Sequence, residues 1–133
     1  MQTNMKFEYK WEFLDTFTEK LVFTGSLDRS LNYEHGPVML ALKRELVAKL
    51  QVKSVVIDVL KLANWTTKGL RFLFEETIPK VKDASVVILG QKVKPDGSES
   101  KIYREAMEMF SKIGTNPLRW YATEAEAMQS FPK

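Results

Sequence analysis

Residues 54–82 read SVVIDVLKLANWTTKGLRFLFEETIPKVK, and their reading decides the fold. Residues 54–60 are β-rich and nearly continuous in apolar side chains: Val55, Val56, Ile57 and Val59. That pattern predicts a strand buried on both faces, as in a parallel sheet covered by helices. A short polar turn with Thr66 and Thr67 follows. Leu70, Leu73, Phe74, Thr77, Ile78 and Val81 then recur three and four residues apart, which predicts an amphipathic helix opened by Gly69. Pro79 predicts that its last turn kinks or ends early. A hydroxyl just before a helix start faces solvent, where free N–H groups and the helix dipole favour added negative charge. Thr67, with Thr66 as fallback, is therefore a candidate phosphoacceptor; each has equally the side chain of an N-cap.

Working outward, residues 7–13 alternate aromatics at Phe7, Tyr9, Trp11 and Phe13, the mark of a strand. Residues 20–27 read as its hairpin partner across the connection 14–19. A loop with Asn32, His35 and Gly36 leads to Pro37, which suits the first turn of a helix. That helix runs to about Leu50, with Met39, Leu42, Leu46 and Leu50 inward and Leu40 and Val47 widening the stripe.

Residues 84–89 form a second buried strand, and 90–98 a polar loop. Asp96 and Glu99 have capping-box spacing for a third helix, which carries Ile102, Ala106, Phe110 and Ile113 inward and stops at Gly114. Residues 118–122 read as a short strand, and Thr123 and Glu126 as the capping box of a final helix ending near Phe131. The predicted order is β-β-α-β-α-β-α-β-α. Strands alternating with helices after an initial hairpin predict an α/β fold with a mostly parallel sheet and right-handed crossovers, in one domain over 1–133.

Composition narrows the function. The chain has 133 residues, 44% hydrophobic and 28% charged, the make-up of an ordinary globular domain. It has no cysteine and one histidine, His35, so thiol chemistry, disulfides and Cys- or His-based metal sites are not expected. Twenty basic and 17 acidic residues are interspersed for a net charge of +3, which gives no electrostatic footprint for nucleic acid. Residues 1–13 lack the apolar run of a secretory signal. No window approaches the roughly 20 apolar residues of a membrane span, so a protein inserted in the membrane is not expected. The absence of cysteine is compatible with a reducing cytoplasm. No Walker A loop, dinucleotide-binding glycine motif or nucleophile–His–acid set is present, so the expectation is a protein that is not an enzyme and needs no cofactor.

Three motifs, in this order and spacing, resemble the STAS domain family, named for sulfate transporters and anti-sigma-factor antagonists. Gly25-Ser26-Leu27-Asp28 resembles the Gly-x-Leu-Asp ending of the family's second strand. Val55-Val56-Ile57-Asp58 resembles its central strand, which ends in an acid. Thr66-Thr67-Lys68-Gly69-Leu70 resembles its Asp-Ser-x-Gly-Leu turn, with Thr66 in place of the aspartate and Thr67 in place of the phosphorylated serine. The closing helix, with Ala127, is similar as well, so the resemblance covers residues 6–131.

The resemblance implies a STAS, anti-sigma factor antagonist-like fold and a phosphorylatable binding module in a bacterial partner-switching pathway. The implied partners are an anti-sigma factor with serine/threonine kinase activity and a phosphatase. Two alternatives are a STAS subunit docked on an ABC-type or other membrane transporter, and a scaffold without a switch. Around the turn, Lys68 is expected to face a phosphate or an acidic partner, or simply solvent. Gly69 is expected to serve a tight turn or a close backbone approach by a partner, and Asp58 to hold the turn or to cap its strand structurally. Phe72 falls off the apolar stripe and is a candidate exposed contact beside the switch, the alternative being a helix that buries two faces, whereas Trp65 is expected in the core.

Overall fold

The computed structural model describes residues 7–27, 36–81, 84–113 and 119–131. The 28–35 loop with His35, Asp28 of the Gly-x-Leu-Asp motif, the stop at Gly114 and the strand start at Leu118 lie outside the described residues.

The chain opens on a hairpin, β1 (Glu8–Asp15) and β2 (Thr18–Leu27), which pair antiparallel through Tyr9–Phe23 and Trp11–Leu21. Helix α1 (Gly36–Leu50) then crosses to β3 (Ser54–Asp58), which pairs parallel with β2. A strand absent from the expected order follows: β4 (Leu62–Trp65) pairs parallel with the far end of β2. Only Leu62 and Trp65 of it are partly buried, so it lacks the apolar run that would mark it in the sequence.

The expected second helix is three pieces in sequence. Helix α2 (Thr67–Arg71) passes into a π turn (Phe72–Thr77) and a 3₁₀ turn (Ile78–Lys80) with Pro79 inside it. Next come β5 (Val86–Leu89), α3 (Lys101–Ile113), β6 (Arg119–Tyr121) and α4 (Glu124–Gln129). The sheet order is β1-β2-β3-β5-β6, antiparallel only at the β1–β2 edge, with β4 attached to β2. This is the expected mostly parallel α/β architecture with an N-terminal hairpin.

The runs in β3 and β5 are apolar throughout because the sheet is covered on both faces. Val55, Ile57, Val86 and Ile88 enter the larger core with Phe23, Leu42, Leu46, Leu70, Phe74 and Trp120. Val56, Val87 and Leu89 point the other way and meet Ala127 of α4 and Phe131. Toward the hairpin this second face turns polar. Lys20 pairs there with Glu124 at 2.8 Å and Glu12 at 3.6 Å.

Beneath the strands' N-terminal ends, Glu19 of β2 is buried and binds Lys49 of α1 at 2.8 Å and Lys53 at 2.6 Å. Burial alone would raise its carboxyl; the two lysine hydrogen bonds outweigh that and hold it below its ordinary value. Leu40 of α1 is 63% exposed, so it does not join the buried stripe. It lines a pocket of about 500 Å³ with Lys43, Arg44, Val47, Ala48 and Gln51, none of which belongs to the threonine turn.

The loop before α3 also differs from expectation. Asp96 accepts from the Ser98 backbone at 2.9 Å and from its hydroxyl at 2.6 Å, which closes a turn inside the loop rather than capping α3. Helix α3 instead begins after Ser100, whose carbonyl accepts from Arg104 N. The expected cap of α4 is present: Thr123 accepts from Glu126 N at 3.3 Å and donates to its carboxylate at 3.0 Å.

Candidate functional site

The threonine turn is built at the C-terminal ends of the parallel strands, where open α/β sheets place their ligand and partner sites. Strand β2 carries it. Gly25 has φ of 81°, a left-handed conformation open to glycine, at the irregularity where β2 begins to pair with β4. Beyond it Leu27 is fully buried, and its carbonyl accepts from Thr66 N at 3.1 Å. Gly69 then passes so close that a Cβ there would lie 2.1 Å from the Leu27 carbonyl oxygen. Glycine at this position is therefore a requirement of helix-on-strand contact within the chain.

Thr66 is the N-cap of α2. Its side chain accepts from Gly69 N at 3.1 Å, and its carbonyl accepts from Leu70 N. Of the two threonines, the cap is thus Thr66 and not Thr67. Aspartate and threonine are both N-cap residues, so Thr66 supplies the local bond that an aspartate there would supply.

Thr67 is the first helical residue and is exposed. Its hydroxyl donates to Oε1 of Glu105 on α3 at 3.3 Å. Glu105 was not singled out by the sequence, because it lies 38 residues away and is one of two glutamates on α3, neither of them in a recognisable motif. Lys68, next along, is exposed. Asp58 is buried at the end of β3, and its Oδ1 accepts from Leu60 N at 2.8 Å, which fixes the bend into β4. That bond is the strand-end role, directed at 58–60 and not at the threonines.

The expectation of an exposed Phe72 is corrected. Phe72 is 2% exposed and packs in the larger core. The cause is the π turn: Ile78 N bonds the Leu73 carbonyl five residues back, and Thr77 Oγ1 donates to the Phe72 carbonyl at 2.8 Å. The widened turn carries Phe72, Leu73 and Phe74 inward together, which a stripe drawn at 3.6 residues per turn does not allow. Trp65 is half-buried against the core, as expected.

The turn therefore offers one exposed hydroxyl on a helix start, flanked by Lys68 and Glu105, on a base of buried glycine and capped backbone. Among the described residues no group of His, Cys, Asp or Glu is arranged to hold a metal ion. Among them, too, no helix is long and apolar enough to cross a membrane.

Comparisons place this architecture. No family model matches the sequence, and no curated protein matches it. Solved structures do match in fold. An anti-sigma factor antagonist from Mycobacterium paratuberculosis is 14% identical with a TM-score of 0.67, over 98% of this chain and 97% of that one. The anti-sigma factor antagonist SpoIIAA in its unphosphorylated form is 15% identical with a TM-score of 0.58, over 95% of this chain and all of that one. An uncharacterized protein from Shewanella loihica with a SpoIIAA-like fold is 16% identical with a TM-score of 0.56, over 97% of both chains. The chain has the STAS-like fold of the anti-sigma factor antagonists, as the motifs predicted.

Proposed function

We propose that this protein is an anti-sigma factor antagonist-like regulator, a binding module switched by phosphorylation of Thr67 in a bacterial partner-switching pathway. The observation that carries the reading is the exposed Thr67 hydroxyl on the first helical residue, at the strand ends of a fold shared with anti-sigma factor antagonists. The unmodified turn binds an anti-sigma factor that is also a serine/threonine kinase. In the transfer the Thr67 Oγ–P bond forms as the β–γ anhydride bond of a nucleoside triphosphate breaks. The nucleoside diphosphate leaves, and the hydroxyl proton passes to a base of the kinase. A phosphate of about −1.5 to −2 charge then stands in an interface fitted to a neutral hydroxyl, and desolvation and repulsion break the complex. A phosphatase restores the hydroxyl. This chain is the phosphoacceptor, and the chemistry belongs to its partners.

The test is affinity capture from the native host with wild type and Thr67→Glu, read by mass spectrometry. The reading expects an ATP-binding kinase of the anti-sigma type on the wild type, lost by at least tenfold on Thr67→Glu, about 1.4 kcal/mol or more of binding. Phosphate should be found on Thr67 and not on Thr66. Transporter subunits in the captured set, or capture indifferent to the substitution, would remove Thr67 as a switch.

A further inference from the structure

Helix α3 packs against α2 and the π turn, and Glu105 brings a carboxylate onto the Thr67 hydroxyl from the side. The contact suits one chemical state of Thr67 and opposes the other. A free hydroxyl donates to the carboxylate. A phosphorylated oxygen has no proton to donate and carries a group of the same sign as the carboxylate, so attraction becomes repulsion at one position.

We propose that Glu105 is the residue through which the molecule reads the state of Thr67: it ties α2 to α3 when the hydroxyl is free and pushes them apart when it is phosphorylated. This rests on Thr67 being the phosphoacceptor. The core decides how far the push travels. Ala106 and Met109 are buried in the larger core, so the rear of α3 stays anchored. Ahead of Glu105, Ile102 and Tyr103 also pack against that core and Ser100 is buried, whereas residues 91–99 are all exposed. The push is therefore felt on the exposed side of the first turns of α3 around Glu105, and the phosphate changes a surface beyond the turn that carries it. Glu105 is a positioning residue, acting through Thr67 and α3.

The experiment uses the full chain with phosphothreonine installed at position 67 during translation, in wild-type, Glu105→Gln and Glu105→Lys backgrounds. Phosphorus NMR follows the second ionisation of the phosphate. The neighbouring carboxylate should raise that pKa by about 0.5 relative to Glu105→Gln, and Glu105→Lys should lower it. Lys68 is present in all three proteins, so the difference isolates position 105. Amide hydrogen exchange over 101–105 should quicken about fivefold on phosphorylation of the wild type, and not in Glu105→Gln. Identical phosphate titrations in the three backgrounds, or the same exchange response without the carboxylate, would overturn the proposal. The phosphate is installed rather than awaited, so these outcomes are separate from whether the host phosphorylates Thr67.

Discussion

Thr66 and Thr67 stand side by side with opposite duties, and substitution separates them. Thr66→Ala removes the N-cap acceptor of Gly69 N and should lower stability by about 1 kcal/mol in urea denaturation. Thr67→Val removes an exposed hydroxyl with one long bond and should change stability by less than about 0.5 kcal/mol, while removing the acceptor that the proposed function requires. Gly69→Ala must drive a methyl against the Leu27 backbone. It should destabilise by about 3 kcal/mol, because neither strand nor helix start can yield freely. A reported loss of binding in Gly69→Ala is therefore evidence about folding until a melting curve accompanies it. At this scale the sequence was partly legible. Paired threonines before a glycine identified the turn, but which threonine caps depends on where the first helical hydrogen bond falls, and that is fixed by Leu27 from another strand.

Among the elements, α1 and the hairpin are joined by two polar latches that no local pattern announces. Above, Glu45 accepts from Tyr9 Oη at 2.9 Å and from Trp11 Nε1 at 2.8 Å. Burial first, then the bond to Glu45 and its charge, push the Tyr9 hydroxyl up to about 12. The neutral phenol is the form the fold prefers, so this contribution is whole below the ordinary value of 10.0 and is lost as pH rises through about 12. A spectrophotometric alkaline titration should show one tyrosine ionising late, and Glu45→Ala should bring it back toward the ordinary value. Below, Glu19 holds Lys49 and Lys53, with its folded pKa under the ordinary 4.5. For a depressed carboxyl the contribution is present above the unfolded value and is lost as pH falls through the folded one. Glu19→Ala should cost about 2 kcal/mol at pH 7, less than a fully buried pair because the lysines are partly solvated, and the difference from wild type should shrink below pH 4.5 in acid denaturation. The strands and helices themselves were readable from their apolar periods. What escaped was β4, whose pairing depends on β2 running past β3, and the π turn, where tertiary packing of three consecutive large side chains overrides the 3.6-residue period.

The whole molecule has unequal faces. One side of the sheet lies under α1, α2 and α3; on the other, among the described residues, α4 and Phe131 cover Val56, Val87 and Leu89, with Leu14 and Tyr121 at the margin. The continuous apolar runs of β3 and β5 announced two covered faces, but not that a six-residue helix would cover one of them. Phe131→Ala should therefore cost about 3 kcal/mol, measured as a lower denaturation midpoint with an unchanged slope, since few side chains remain to close the gap. Strand β2 is the axis of this arrangement, bonded to β1, β3 and β4. That has a consequence for how the chain reaches its fold. Its pairing with β1 closes a tight local loop, whereas its pairings with β3 and β4 wait for α1 to form and the chain to return from it. Local loops close fast and parallel crossovers slowly. The hairpin is thus the early structure, and the seat for Thr66 at the end of β2 is completed only with the late pairings. A nascent chain that has made only its hairpin has no finished threonine turn, so on the function proposed above a kinase would find its substrate only in molecules that have completed folding.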